Sequence, residues 1–177
     1  MAPGGGSDRS YAPMTVEHLK HLDKIAKQDH REMFAKNPHL AVYRDRILLV
    51  ALCQGAALHY VNGTNGVKDI DVYTFYAAVP GVMLTPRRHG VADFGESEFG
   101  YWSNEKPIRG TRFVGRRVDL LQRSLTVPPD ADPVKAVRTW LQTQGGTPEF
   151  LRQKAVVGIW PRRYLGTVLW PVDKAPR

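Results

Sequence analysis

Lys68-Asp-Ile-Asp-Val-Tyr-Thr-Phe-Tyr76 is the stretch on which the reading of this chain turns. It is rich in β-branched and aromatic residues, so it reads as a strand, and the two-residue period of a strand puts Asp69, Asp71, Tyr73 and Phe75 on one face. Carboxylates at i and i+2 of a strand point the same way, within reach of a single divalent cation, and repel each other without one. Working upstream, Asn62-Gly-Thr-Asn-Gly66 is a dense turn signal, and Gln54-Gly-Ala-Ala57 offers small residues where a backbone can approach a ligand closely. Before these comes Ile47-Leu-Leu-Val-Ala-Leu-Cys53, too short and too uniformly apolar for periodicity to separate buried strand from buried helix. The expectation for 43–58 is a helix running into or beside a strand.

Downstream, Phe113 to Leu125 returns to strand character, with Arg117, Asp119 and Leu121 on one face and Val118, Leu120 and Gln122 on the other. If this strand lies beside the first, opposing Cβ atoms stand about 4.5–5.5 Å apart, and Asp119 becomes a third carboxylate for the same ion. The segment between them, 80–111, carries Pro80, Pro86, Pro107 and several glycines, which favours loops and short hairpins. Its acids Asp93, Glu96, Glu98 and Glu105 read as solvated, and its Tyr101-Trp102 pair as a base-stacking platform or as a cover over the core.

At the amino end, Thr15 caps a helix predicted over 15–36, whose Leu19, Leu22, Ile25, Ala26, Met33 and Phe34 follow helical spacing and which stops before Pro38. His18 and His21 then belong to a solvated helix face. Asp132-Pro133 starts a helix that runs to Gly145-Gly146, and Thr147-Pro148 starts another that carries Phe150, Leu151, Ala155 and Val156. The predicted fold is therefore α+β, a mixed central sheet flanked by an N-terminal helix and C-terminal helices. Residues 1–12 read as a flexible leader and 13–177 as one domain, with its core at 40–126 and a C-terminal helical part at 132–160.

The composition removes several classes of function. A net charge of +8 points to a polyanionic partner such as nucleic acid or a nucleotide. The single Cys53 excludes an internal disulfide framework and fits a reducing, cytoplasmic setting, and no apolar run approaches the roughly 20 residues of a membrane span. Neither a P-loop nor a Gly-x-Ser-x-Gly elbow occurs, and no acid-x-Lys tripeptide of the nuclease kind follows Asp71 on its strand. Cys53, paired with His59 as a thiol nucleophile, ends the most apolar run of the chain, where a cysteine is a buried structural residue.

These residues together resemble the nucleotidyltransferase superfamily typified by DNA polymerase beta and the minimal bacterial nucleotidyltransferases. The likeness covers about residues 46–76 and 114–122: a small-residue turn at Gly55-Ala56, a short helix, a glycine loop, Asp-x-Asp on a strand, and the later lone acid of Val118-Asp119-Leu120. It implies a mixed sheet of nucleotidyltransferase type and transfer of a nucleotidyl group from an NTP to an RNA, protein or small-molecule acceptor. It also implies that Asp69, Asp71 and Asp119 bind two Mg²⁺ ions, with Asp119 helping to activate the attacking hydroxyl. Gly55 and Ala56, with Gln54, would cradle the triphosphate, and its charge would be countered by candidates among Lys68, Arg116, Arg117, Lys154, Arg162 and Arg163, Arg117 first. Two positions depart from the family pattern. Ala56 stands where the family has Ser, and Leu58 where a small residue follows. The alternative expectation is thus a non-catalytic nucleotide- or RNA-binding module.

Overall fold

The computed structural model describes residues 12–63, 66–85, 90–97, 99 and 115–172. The ambiguous apolar run is strand β1 (Ile47–Cys53), followed directly by helix α2 (Gln54–Asn62), which ends at Gly63 in the left-handed conformation, φ 68°. Its uniform hydrophobicity has a simple cause. β1 lies in the middle of a six-stranded sheet and is covered on both faces, so neither face needs polar residues.

The other strands are β2 (Ile70–Ala77), β3 (Gly90–Asp93), β4 (Arg117–Leu125), β5 (Val156–Trp160) and β6 (Val168–Trp170), in the order β3-β4-β2-β1-β5-β6. β2 and β4 run parallel, and all other neighbours run antiparallel. Helix α1 (Val16–Lys36) and α2 pack on one face, where Leu19, Leu22, Ala56 and Ala57 meet Leu52, Val72 and Leu120. Helices α3 (Pro133–Leu141) and α4 (Gly146–Arg152) cover the other, where Val137, Leu141 and Leu151 meet Leu49, Tyr73 and Phe75. The fold is α+β with a mixed sheet, an N-terminal helix and C-terminal helices. Among the described residues no helix is long and apolar enough to cross a membrane.

Several local expectations hold for the stated reasons. Thr15 is the N-cap of α1 with extended backbone, and the helix stops at Asn37, whose amide N–H bonds back to Met33 O. Asp132 caps α3, its Oδ1 accepting from the Lys135 N–H at 2.9 Å, with Pro133 in the first turn. Others are corrected. The last helix ends at Arg152, and Ala155-Val156 lead into β5, so the C-terminal part at 132–160 is helical only to that point. Ala155, Val156 and Val157 are all buried, and such a run satisfies a strand in a covered sheet better than a one-sided helix. The segment after Trp160 adds a 3₁₀ turn (Arg162–Tyr164) and β6. The leader reading of 1–12 lies outside the described residues except at Ala12, whose carbonyl accepts from His59 Nε2 at 3.0 Å and is thereby tied to the fold.

The His18–His21 face is solvated at His21, which is exposed, and half-buried at His18. Both rings pack on Phe94, and His18 also on Phe99, while His21 Nε2 donates to the Phe94 carbonyl at 2.9 Å. Burial lowers the pKa of His18 below the ordinary imidazole value, helped by the nearby His21 and His59.

Close backbone approach disfavours any side chain at Gly158. A Cβ on Gly158 in β5 would stand 2.3 Å from the Tyr164 carbonyl oxygen, a main-chain atom that no rotamer change moves away. Gly158→Ala is expected to cost about 1–3 kcal/mol, a fall of roughly 2–12 °C in melting temperature for a chain of this size. An unchanged thermal midpoint would show that this turn yields freely.

Candidate functional site

The sheet topology gathers the predicted residues at one rim. β1 ends there while β2, β4 and β5 begin there, in the register Cys53↔Asp71, Asp71↔Asp119 and Cys53↔Val156. Asp71 and Asp119 are therefore direct neighbours on parallel strands, and alternation turns both towards the α3–α4 face. Asp69 lies in the bend immediately before β2, half-buried like Asp71, whereas Asp119 is 4% exposed. A carboxylate so deep needs a partner, and Arg117, two residues earlier on the same strand face, donates from Nε to Asp119 Oδ1 at 2.7 Å. Arg117, ranked first as a phosphate contact, here engages a carboxylate.

Arg116 faces the opposite way and ties the rim together. Its Nη1 donates to the carbonyls of Val67 and Lys68, its Nε donates to Ser97 Oγ at 2.8 Å, and its guanidinium lies over the Phe99 ring. Burial lowers its pKa, and the Asp69 carboxylate acts the other way. Arg116 thus positions the segment leading into the Asp-x-Asp strand. Lys68 is exposed next to Asp69.

The α2 end of the rim carries a strained, underused residue. Gln54 takes φ 61°, a left-handed backbone that costs a non-glycine residue about 1–3 kcal/mol. Its side chain is buried, yet Nε2 has no hydrogen-bond partner among the described residues. Such an orphan donor beside the first unpaired N–H groups of a helix suits an anion. Gly55 follows, and a Cβ built on it would come 3.9 Å from Lys154 Nζ, which selects Lys154 from the six basic candidates. Ala56 is fully buried in the α1-side core, so it offers a ligand its backbone and no side chain.

Other sequence candidates fall elsewhere. Arg162 and Arg163 follow the far end of β5, since Trp160 pairs with Val50, midway along β1 and away from Cys53. Asp93, read as solvated, instead accepts from the Gly95 and Gly115 N–H groups and closes the β3–β4 end. Glu96 is exposed, and Glu98, Glu105, Tyr101 and Trp102 lie outside the described residues. Among the described residues no three His, Cys, Asp or Glu side chains stand ready as a metal cluster. Hard carboxylate oxygens on adjacent strands are nonetheless the donor chemistry that Mg²⁺ takes.

The Cys53 thiol is fully buried, and burial first, then the Asp71 carboxylate, push its pKa well above the ordinary thiol value. His59 Nε2 donates to Ala12 O, so no thiol–imidazole pair forms through that atom. Native protein at pH 8 is expected to resist thiol reagents until unfolded. Because the folded thiol keeps its proton where the unfolded one ionises, its contribution to stability is complete below the unfolded pKa of about 8.5 and is lost as pH rises beyond it. Tyr76, also raised by burial and by Asp29, adds a second loss above about pH 10. Urea midpoints of the parent and Cys53→Ala at neutral and alkaline pH check this, and equal alkaline slopes in the two would contradict it.

Comparison with family models, curated proteins and solved structures finds no match to the chain.

Proposed function

We propose that the chain is a Mg²⁺-dependent nucleotidyltransferase of the DNA polymerase beta kind. The observation that carries this is the register of Asp71 beside Asp119 at the rim where β1 passes into the α2 amino end. In this reading Asp69, Asp71 and Asp119 hold magnesium. Bound there, the metal neutralises the triphosphate and the charge that develops during transfer. The chain's own groups do the rest. Gln54 Nε2, the first N–H groups of α2, Lys154 and Lys68 donate to the phosphate oxygens, and Arg117 is held beside Asp119 at the same rim. The acceptor hydroxyl forms a bond to the α-phosphorus as the bond to the pyrophosphate oxygen breaks, and its proton passes to the Asp119 carboxylate. The single, buried Cys53 fits a reducing, cytoplasmic setting.

A second reading rests on Ala56. Its methyl points into the core, and no hydroxyl replaces the family's serine, which suits a nucleotide- or RNA-binding module without chemistry. Incubation with each α-phosphate-labelled NTP, Mg²⁺ and separate pools of RNA, protein and small metabolites distinguishes the two. Label transferred to one pool supports the enzyme. NTP binding without transfer to any pool supports the binding module.

A further inference from the structure

We propose that the groove between α3 and the β5–β6 connection binds single-stranded nucleic acid, with phosphates on Lys135 and Arg138 and a base against Tyr164. The groove encloses about 560 Å³ and is open to solvent along one side. Its first wall is one face of α3. Lys135, Arg138, Thr139 and Gln142 recur at i, i+3, i+4 and i+7, while Val137 and Leu141 on the opposite face enter the core.

Arg138 is fixed in advance. Its Nε donates to Leu169 O and its Nη2 to Val168 O, both at 3.1 Å, so the guanidinium is braced against β6. Five N–H donors in a rigid fork exceed what two carbonyls use, and the surplus suits phosphate oxygens. The opposite wall is Tyr164 with Thr167, and the Arg163 guanidinium lies over the Tyr164 ring at 4.8 Å. Asp132 is the acid among the lining residues, and its Oδ1 already accepts from the Lys135 N–H, where the positive end of the α3 dipole offsets its charge.

A braced guanidinium, a neighbouring ammonium and an aromatic ring backed by a second guanidinium match a phosphate next to a flat base. An acidic peptide would use the cations and leave the ring idle. The net charge of +8 adds long-range attraction for the same ligand. None of Asp69, Asp71 or Asp119 takes part, so the inference stands apart from the transfer reading.

The test is fluorescence anisotropy of the full chain with labelled oligouridylate and oligodeoxythymidylate of about 12 nucleotides in Mg²⁺-free buffer at about 50 mM salt. The parent is expected to bind one or both, with affinity falling steeply as salt rises. Lys135→Glu/Thr139→Glu, at exposed positions, is expected to weaken binding at least about tenfold. Tyr164→Ala should lose about tenfold and Tyr164→Phe almost nothing. Asp69→Asn/Asp71→Asn should bind like the parent. The proposal is overturned if no oligonucleotide binds, if Lys135→Glu/Thr139→Glu binds within twofold of the parent, or if polyglutamate of equal charge competes as well as the oligonucleotide. It is overturned equally if binding is lost in the Asp69→Asn/Asp71→Asn variant while the groove variant keeps it.

Discussion

Asp71→Asn is expected to abolish the thermal stabilisation that Mg²⁺ with an NTP confers, leaving the metal-free melting temperature within a few degrees of the parent. The size of the effect follows from linkage. At a ligand concentration of about 100 Kd the folded state gains about 2.7 kcal/mol, which for a chain of this length is a rise of roughly 5–11 °C. The parent should show that rise with at least one NTP only when Mg²⁺ is present, and the variant should show none. Transfer of labelled nucleotide, where an acceptor is supplied, should fall by at least about a thousandfold, the rate equivalent of the several kcal/mol a metal ion supplies to a phosphoryl transition state.

Asp71 is the better probe of the two neighbouring acids. Its exchange for asparagine keeps the shape at a half-buried position and removes a negative charge from beside the buried Cys53 thiol. Asp119→Asn would also strip the Arg117 guanidinium of its carboxylate partner, so lost binding would be confounded with lost packing. A parent that melts identically with and without Mg²⁺ and every NTP would sink the metal site. A Mg²⁺-dependent shift that survives in Asp71→Asn would move the ion away from the β2–β4 rim.

The second large effect concerns the fold itself. Phe75→Ala is expected to destabilise the protein by about 3–5 kcal/mol, lowering the melting temperature by roughly 6–20 °C. Phe75 is fully buried on the α3–α4 face of β2, its ring 5.3 Å from that of Trp140 in an edge-on arrangement and 6.1 Å from that of Tyr73. β2 pairs with β1 along one edge and β4 along the other, so a cavity there is walled by strands that cannot close over it without breaking register. Chemical denaturation at two probe wavelengths checks the size of the effect, and a loss below about 1 kcal/mol would mean that α3 collapses onto the sheet.

The same strand shows how far a linear reading reaches. The alternation in Lys68 to Tyr76 was enough to put Asp71, Tyr73 and Phe75 on one face, though Asp69 falls in the bend before β2, and the caps at Thr15 and Asp132 were enough to place two helices, because strand period and helix capping are local properties of the chain. Local signals failed where burial on both sides erased them. β1 read as mixed helix and strand, and Val156 to Trp160 as helix, since an apolar run covered on both faces carries no period.

That misreading hid the position of Lys154. Only through the pairing of β5 with β1 does Lys154, two residues before β5, come next to Gly55. The partner of Asp119 and the burial of the Ala56 methyl are likewise relations between separate segments.

What the chain determined by itself was the set of elements with a one-sided environment, and with them the α+β class and the shared strand face of Arg117 and Asp119. What only the tertiary structure decided was strand order. The parallel pairing that makes Asp119 the neighbour of Asp71 joins residues 48 positions apart, and the free energy that selects it is apolar burial summed over both sheet faces, which no local window of sequence contains.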